Sequence, residues 1–199
     1  MRAVLLCLIV LLTPALARAA DLIVSVRTAA GQPVPDAVVT LPDARGPSRL
    51  SGPYRMAQHD LQFDPFVLVV PVGAEVGFPN LDRVRHHVYS FSPAHPFELK
   101  LYGRDESRAV RFDKAGVIAL GCNIHDSMVA FILVTDAAIA GKTDANGVAV
   151  LHDVPPGELS LRVWHPYLRA AGNTLALRGQ GRVSVTAELR APPTRRGAY

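Results

Sequence analysis

A short segment at residues 121–128 limits the possible folds more than any other part of the sequence, because it lies between two apolar runs. The runs, residues 115–120 and 129–134, are rich in Val, Ile and Leu, and such runs favour buried strands. The segment between them contains three side chains with soft or borderline metal donors: Cys122, His125 and Met128. We therefore predict two strands joined by a tight loop that holds a metal ion.

This donor set favours copper, because two His and one Cys with a weak axial Met are typical of blue-copper electron-transfer sites. The loop supplies only one of the two histidines. His86 and His87 stand directly before a run at residues 88–91 that predicts a strand, so this pair can supply the missing donor. Taken one at a time, the same residue types have an ordinary interpretation, since Cys and Met often serve as buried apolar side chains.

The N-terminus predicts export. Residues 1–19 combine a basic start, an apolar run and a small-residue site with cleavage expected after Ala19, which is typical of a secretory signal peptide. We expect a periplasmic protein without stable membrane insertion, because no later segment reaches about 18 apolar residues. Cleavage removes Cys7 and leaves Cys122 unpaired, and an unpaired thiol in an oxidising compartment is protected when it binds a metal.

Charge and motifs limit the other function classes. The predicted mature chain has 19 Lys and Arg against 17 Asp and Glu. From Arg162 onward there are seven arginines and one acid, Glu188, so this region could meet an acidic partner or could be a solvated strand face and tail. We find no nucleic-acid motif. Paired carboxylates, a nucleophile–base pair and an open three-histidine site are also missing from the sequence, so we expect no enzyme activity.

A wider set of residues resembles the cupredoxins of the plastocyanin and pseudoazurin kind. The matching motifs are Phe63-x-Pro65, Glu75-Val76-x-Phe78-x-Asn80-x-Asp82, His86-x-Val88, Gly116-Val117 and Cys122-x-x-His125. Residues 82–91 and 121–126 resemble, more closely, bacterial proteins labelled plastocyanin-like or methylamine utilization proteins. The resemblance covers residues 54–136 and implies a Greek-key β-sandwich with one copper ion. It implies three equatorial ligands and one axial ligand: His86, Cys122, His125 and, axially, Met128.

The chain departs from the cupredoxin pattern in two places. Only two residues separate His125 from Met128, fewer than plastocyanin-like sequences usually have. This spacing is similar to that of the binuclear copper centre of oxidases, which requires a second loop cysteine that is missing here, so axial geometry, colour and potential stay open. His87 stands where the family commonly has an Asn that braces the ligand loop. It could brace the loop or replace His86 as the ligand, and we favour His86.

The flanking segments resemble a carboxypeptidase regulatory-like β-sandwich. The motifs are Thr143-Asp144-x-Asn146-Gly147, Val154-Pro155-Pro156-Gly157 and Gly31-Gln32-Pro33-Val34-Pro35-Asp36-Ala37-Val38-Val39. We infer that residues 20–50 and 137–190 form one split sandwich into which the cupredoxin domain is inserted; independent small β segments on either side are the alternative. Residues 92–114, rich in charge, Pro and Gly, are expected to be irregular or partly helical, and residues 191–199 to be a flexible tail.

These observations together predict an all-β protein with a mononuclear copper site that carries single electrons to or from a periplasmic redox partner protein. Two alternatives remain open. A copper carrier or chaperone would use the same ligands without reversible redox chemistry, and a non-metal interaction module would use the sandwich surfaces alone.

Overall fold

The computed structural model describes residues 20–192, so the expected signal peptide at 1–19 and residues 193–199 of the expected tail lie outside the described residues. Seventeen strands and one short 3-10 turn, Ala171–Asn173, make up the regular structure of the described part. The all-β prediction is confirmed. Within residues 20–192 there is no helix with the length and apolar character needed to cross a membrane.

The strands follow one another along the chain with short connections. In chain order they are β1 (Ala20–Arg27), β2 (Val38–Leu41), β3 (Tyr54–Arg55), β4 (Ala57–His59), β5 (Gln62–Asp64), β6 (Val67–Pro71), β7 (Ala74–Pro79), β8 (His86–Ser90), β9 (Phe97–Tyr102), β10 (Ser107–Phe112), β11 (Gly116–Cys122), β12 (Val129–Thr135), β13 (Ile139–Lys142), β14 (Val148–Val154), β15 (Leu159–Trp164), β16 (Thr174–Gly179) and β17 (Arg182–Thr186).

Strands β3 to β12 form a central sandwich. Its larger sheet has the order β6-β12-β11-β8-β9 and its smaller sheet the order β10-β7-β3, with β4 and β5 as a separate hairpin. Strands β11 and β12 pair antiparallel from Gly116 with Val134 to Gly121 with Val129, so the predicted two strands and connecting loop are confirmed. Alternate side chains of both sheets point inward and form one apolar core that includes Phe78 and Ile118.

The expectation of an irregular or helical segment at residues 92–114 is wrong, because this segment contains β9 and β10. Side chains of β9 alternate between half-buried Phe97 and Leu99 and exposed Glu98 and Lys100, which is the period of a strand with one face in water. Strand β10 pairs antiparallel with β7 along its whole length. The charges that suggested irregular structure therefore lie on the solvent faces of two edge strands.

Segments from before and after the central sandwich are hydrogen-bonded to each other in two further sheets, which we call the flanking sheets. Strand β1 lies between β14 and β17, and β2 lies between β13 and β15. Buried apolar side chains of both flanking sheets, such as Val24, Leu41 and Leu161, form a second core. The two ends of the described chain thus close around one set of apolar residues.

A small apolar cluster joins the flanking sheets to the central sandwich. Trp164 of β15 is buried with Val38 and Val67, and its ring contacts the edge of Phe131 with 6.2 Å between centroids. Next to it, the Nζ group of Lys142 donates to Asp36 Oδ1 at 2.6 Å and to the carbonyl of Val67 at 2.8 Å. The tryptophan is therefore a packing residue between the two parts of the molecule.

Replacing Trp164 with Ala is expected to lower the free energy of unfolding by about 3–5 kcal/mol, because it leaves a cavity against Phe131. Urea unfolding followed by circular dichroism measures the change. Phe91→Ala is the matched control, since that aromatic side chain is 84% exposed and its loss should change stability by no more than about 0.5 kcal/mol. Equal effects of the two substitutions would contradict the buried position of Trp164.

Candidate metal centre

Two neighbouring strands bring a histidine and the cysteine together at one end of the larger central sheet. His86 is the first residue of β8 and Cys122 the last residue of β11, and both side chains are buried. The strands run antiparallel, with Cys122 opposite Val88 and Gly121 opposite Tyr89. Because the start of one strand meets the end of its antiparallel neighbour, the pairing register places the His86 imidazole beside the Cys122 thiol.

The loop after Cys122 turns back tightly and returns a second histidine to the same place. The backbone N–H of Met128 donates to the carbonyl of His125 at 3.0 Å, which closes the turn. The N–H of Asn123 donates to the carbonyl of His87 at 3.1 Å and so continues the hydrogen bonding between β11 and β8. His125 is half-buried, with its ring centroid 5.0 Å from that of His86.

The three side chains have the spacing of ligands around a single ion. Cys122 Sγ lies 3.8 Å from His86 Nδ1 and 3.6 Å from His125 Nδ1. The three donor atoms all lie within 4.8 Å of one another. Bonds of about 2.0 Å to nitrogen and about 2.3 Å to sulfur, with angles between tetrahedral and trigonal, place N and S roughly 3.5–3.7 Å apart, close to the two observed distances. His86, Cys122 and His125 could therefore hold one metal ion between them.

Met128 and His87, the other two residues predicted for the site, occupy different environments. Met128 is fully buried in the apolar cluster that also contains Cys122. The His87 ring lies outside the group of three donors, and its Nε2 is 2.8 Å from Glu98 Oε1. His87 contacts the ligand loop through its backbone carbonyl, which accepts from the Asn123 N–H.

A carboxylate completes the surroundings of His86. Nε2 of His86 lies 2.7 Å from Oδ2 of Asp82, and since an ionised carboxylate only accepts, the imidazole donates this hydrogen bond. In the neutral imidazole Nδ1 is then the nitrogen without a hydrogen, and it faces the Cys122 sulfur. Metal-binding histidines commonly donate their second ring nitrogen to a carboxylate in this way, which fixes the ring and its tautomer.

Asn80 holds the loop that carries Asp82. Its Nδ2 group donates to the carbonyls of Val84 and Tyr102 at 2.9 and 3.1 Å, and its Oδ1 accepts the Asp82 N–H at 2.9 Å. The Tyr102 hydroxyl donates to Gln58 Oε1, and burial raises its pKa above the ordinary value. Within residues 20–192 every buried side-chain nitrogen and oxygen has a partner, so this polar layer is complete.

Burial and hydrogen bonding shift the pKa values of two groups beside the centre. Burial lowers the pKa of His125, and the neighbouring His86 lowers it further, which favours the neutral imidazole that a metal requires. Burial alone would raise the pKa of Asp82. Hydrogen bonds from His86 and from two backbone N–H groups outweigh that effect and hold the pKa below its ordinary range.

The roles of Asn80, Asp82 and Tyr102 were missed by reasoning from the sequence. Asn80 and Asp82 belong to the cupredoxin-like motif of the sequence but were given no role, and the signal that could have identified them is the Asn-x-Asp-x-x-x-His spacing that ends at His86. Tyr102 lies in a segment that was expected to be irregular. Its contact with Gln58 joins residues 44 positions apart, which no local pattern indicates.

Among known proteins, this chain is similar to solved structures, and the similarity covers only part of the chain. No family model and no curated protein matches the chain. A Cu-containing nitrite reductase from Thermus scotoductus SA-01 is 29% identical with a TM-score of 0.40, and the alignment covers 47% of this chain and 25% of the reductase. The chain thus spans about a quarter of that reductase.

Alignments with two proteins smaller than the reductase cover almost the whole length of those proteins. A purple cupredoxin from Nitrosopumilus maritimus is 20% identical with a TM-score of 0.38, and the alignment covers 41% of this chain and 99% of the cupredoxin. A reduced Cu(I) form of an amicyanin variant is 18% identical with a TM-score of 0.39, over 49% of this chain and 98% of amicyanin.

Replacing Asn80 with Ala is expected to lower the free energy of unfolding by about 1–3 kcal/mol, because it leaves two carbonyls and one N–H without their partner. The 81–85 loop should also exchange its amide hydrogens faster. Asn146→Ala, in an exposed turn, is the control and should change stability by about 0.5 kcal/mol or less. Unchanged exchange in the 81–85 loop of the Asn80 variant would contradict the bracing role.

Proposed function

We propose that the protein is a periplasmic copper protein that carries single electrons at a mononuclear site. The proposed ligands are two histidines, a cysteine and a methionine: His86, His125, Cys122 and Met128. The observation that carries the proposal is the spacing of one thiol and two imidazole nitrogens, which matches three ligands around one ion. A single thiolate with two imidazoles is also the donor set that suits copper electron transfer.

Held by His86, His125, Cys122 and Met128, a copper ion would supply one-electron redox chemistry with no bond made or broken. The protein keeps the ligands in place during this change. His86 and Cys122 are fixed by paired strands, and His125 by a hydrogen-bonded turn. Rigid ligands change position little between oxidation states, which lowers the reorganisation cost of electron transfer.

The surroundings of the loop support a carrier more than an enzyme. Cys122 and Met128 are buried, and this ligand set leaves little room for a substrate at the metal. His125 is half-buried, and the neighbouring Ile124 is 50% exposed, so the loop presents an imidazole and apolar surface to solvent. An exposed apolar patch beside a redox centre suits docking of a partner protein.

We also propose that the flanking sheets form one carboxypeptidase regulatory-like sandwich interrupted by the copper domain. The pairing of β1 with β14 and β17, and of β2 with β13 and β15, supports this proposal. Their shared second core supports it as well. In this arrangement the copper-binding part is held at both of its ends by one folded unit.

Cys122→Ser is expected to abolish an intense thiolate-to-copper absorption band of the mature protein. The measurement is visible absorption and EPR during Cu(II) titration, followed by reduction with ascorbate and reoxidation. A band that bleaches and returns in the wild type supports electron transfer. A protein that binds only Cu(I) would instead indicate copper handling, and a band that survives in Cys122→Ser would refute this ligand set.

The two adjacent histidines provide a second test. His86→Gln is expected to lower copper affinity at least tenfold and to change the EPR spectrum, because it removes one of the three converging donors. His87→Gln keeps the backbone carbonyl that contacts Asn123, so its spectrum should match that of the wild type. The reverse result would make His87 the ligand and would require the start of β8 to rotate.

A further inference from the structure

The two ring nitrogens of His86 have different partners, and the outer partner carries a full negative charge. Nδ1 faces the Cys122 sulfur at 3.8 Å, and Nε2 donates to Asp82 Oδ2 at 2.7 Å. The short distance is that of a charge-assisted hydrogen bond. Of the three converging side chains, only His86 has a described contact with a carboxylate, and that contact is made by the ring nitrogen that points away from the cysteine.

Asp82 is itself held in position by backbone groups. The N–H groups of Asp60 and Leu61 donate to its Oδ1 and Oδ2 at 2.7 and 3.1 Å. These two residues form the tip of the β4–β5 hairpin, with φ values of 51° and 57° that direct consecutive N–H groups to one side. The Asp82 N–H donates in turn to Asn80. The carboxylate cannot leave His86 without breaking several hydrogen bonds.

The pair lies where a charge acts strongly. The His86 side chain is fully buried and that of Asp82 is 11% exposed, so water screens their interaction poorly. A carboxylate on the outer nitrogen raises the electron-donating strength of a metal-bound imidazole. A negative charge near the ion also favours the oxidation state with the higher positive charge.

We propose that Asp82 is a positioning residue that fixes the His86 tautomer and stabilises the oxidised form of the bound ion, thereby lowering its reduction potential. This proposal rests on the proposed function, because it assigns Asp82 a role in tuning the same site. A purely structural role would weaken the binding of both oxidation states equally and would leave the potential unchanged.

The chain contains a matched control for this test one residue away. His87 Nε2 lies 2.8 Å from Glu98 Oε1, so the two carboxylate–histidine pairs have almost the same length. Glu98 is 54% exposed and its histidine lies outside the three converging donors. Asp82→Asn and Glu98→Gln each remove one carboxylate charge with little change in size.

Asp82→Asn is expected to weaken Cu(II) binding about 10–100-fold and Cu(I) binding less. Each tenfold difference between the two losses raises the potential by about 59 mV, measured by redox titration of the visible band. Glu98→Gln should keep the wild-type potential, and Asp82→Glu, which keeps the charge, should fall between wild type and Asp82→Asn. A potential that is the same in Asp82→Asn and the wild type would overturn the proposal.

A measurement on the copper-free protein separates this proposal from the proposed function. Nitrogen-15 NMR of the copper-free wild-type protein, at a pH where the His86 ring is neutral, should show the hydrogen on Nε2 alone, whether or not the protein is able to bind copper. A hydrogen on Nδ1, or a mixture, would overturn the proposal even if Asp82→Asn does not fold. Absence of a redox-active copper site together with the Nε2 tautomer would instead refute the proposed function while leaving the Asp82 contact intact.

Discussion

The candidate centre depends on a very short stretch of strand pairing between β8 and β11. Two residue pairs, Cys122 with Val88 and Gly121 with Tyr89, and one further hydrogen bond from Asn123 to His87 join the strands near the loop. Shifting this register by one residue would move His86 to the opposite face of the sheet and separate it from the sulfur. Gly121 permits the register, because a side chain there would lie 2.8 Å from the Tyr89 ring.

Next to this pairing, hydrogen bonds between polar groups, not apolar packing, hold the loop that precedes β8. The loop before β8 contains no regular structure, yet it must hold a partly buried carboxylate and a buried imidazole at fixed positions. Asn80 achieves this, because its side chain donates to the carbonyl of Val84, accepts from the N–H of Asp82 and also donates to the carbonyl of Tyr102 on β9. A buried layer of this kind stabilises one conformation strongly because every group that leaves its partner remains without water.

The sequence predicted the parts of the fold and of the candidate site that depend on local pattern. The hairpin of β11 and β12 could be predicted from the two apolar runs. The short distance between Cys122 and His125 could be predicted because the two residues are only three positions apart in one loop. Asp82 lies only four residues from His86, but the loop between them has no regular period that would show the contact, and the Asp82 carboxylate is also bonded by N–H groups of the distant β4–β5 hairpin. Strands β9 and β10 were missed because their outward charges hid the alternation of their half-buried residues.

The first two strands pair with strands from the last part of the described chain, and this limits the order in which the sheets can form. Strands β1 and β2 are translated first, but their neighbours β13, β14, β15 and β17 come last, more than one hundred residues later in the cases of β14, β15 and β17. The central sandwich has all of its strands before those neighbours exist, so it can form while β1 and β2 still expose open edges. Contacts of such long sequence separation slow folding, and until their late partners pair with them β1 and β2 are open strands prone to association.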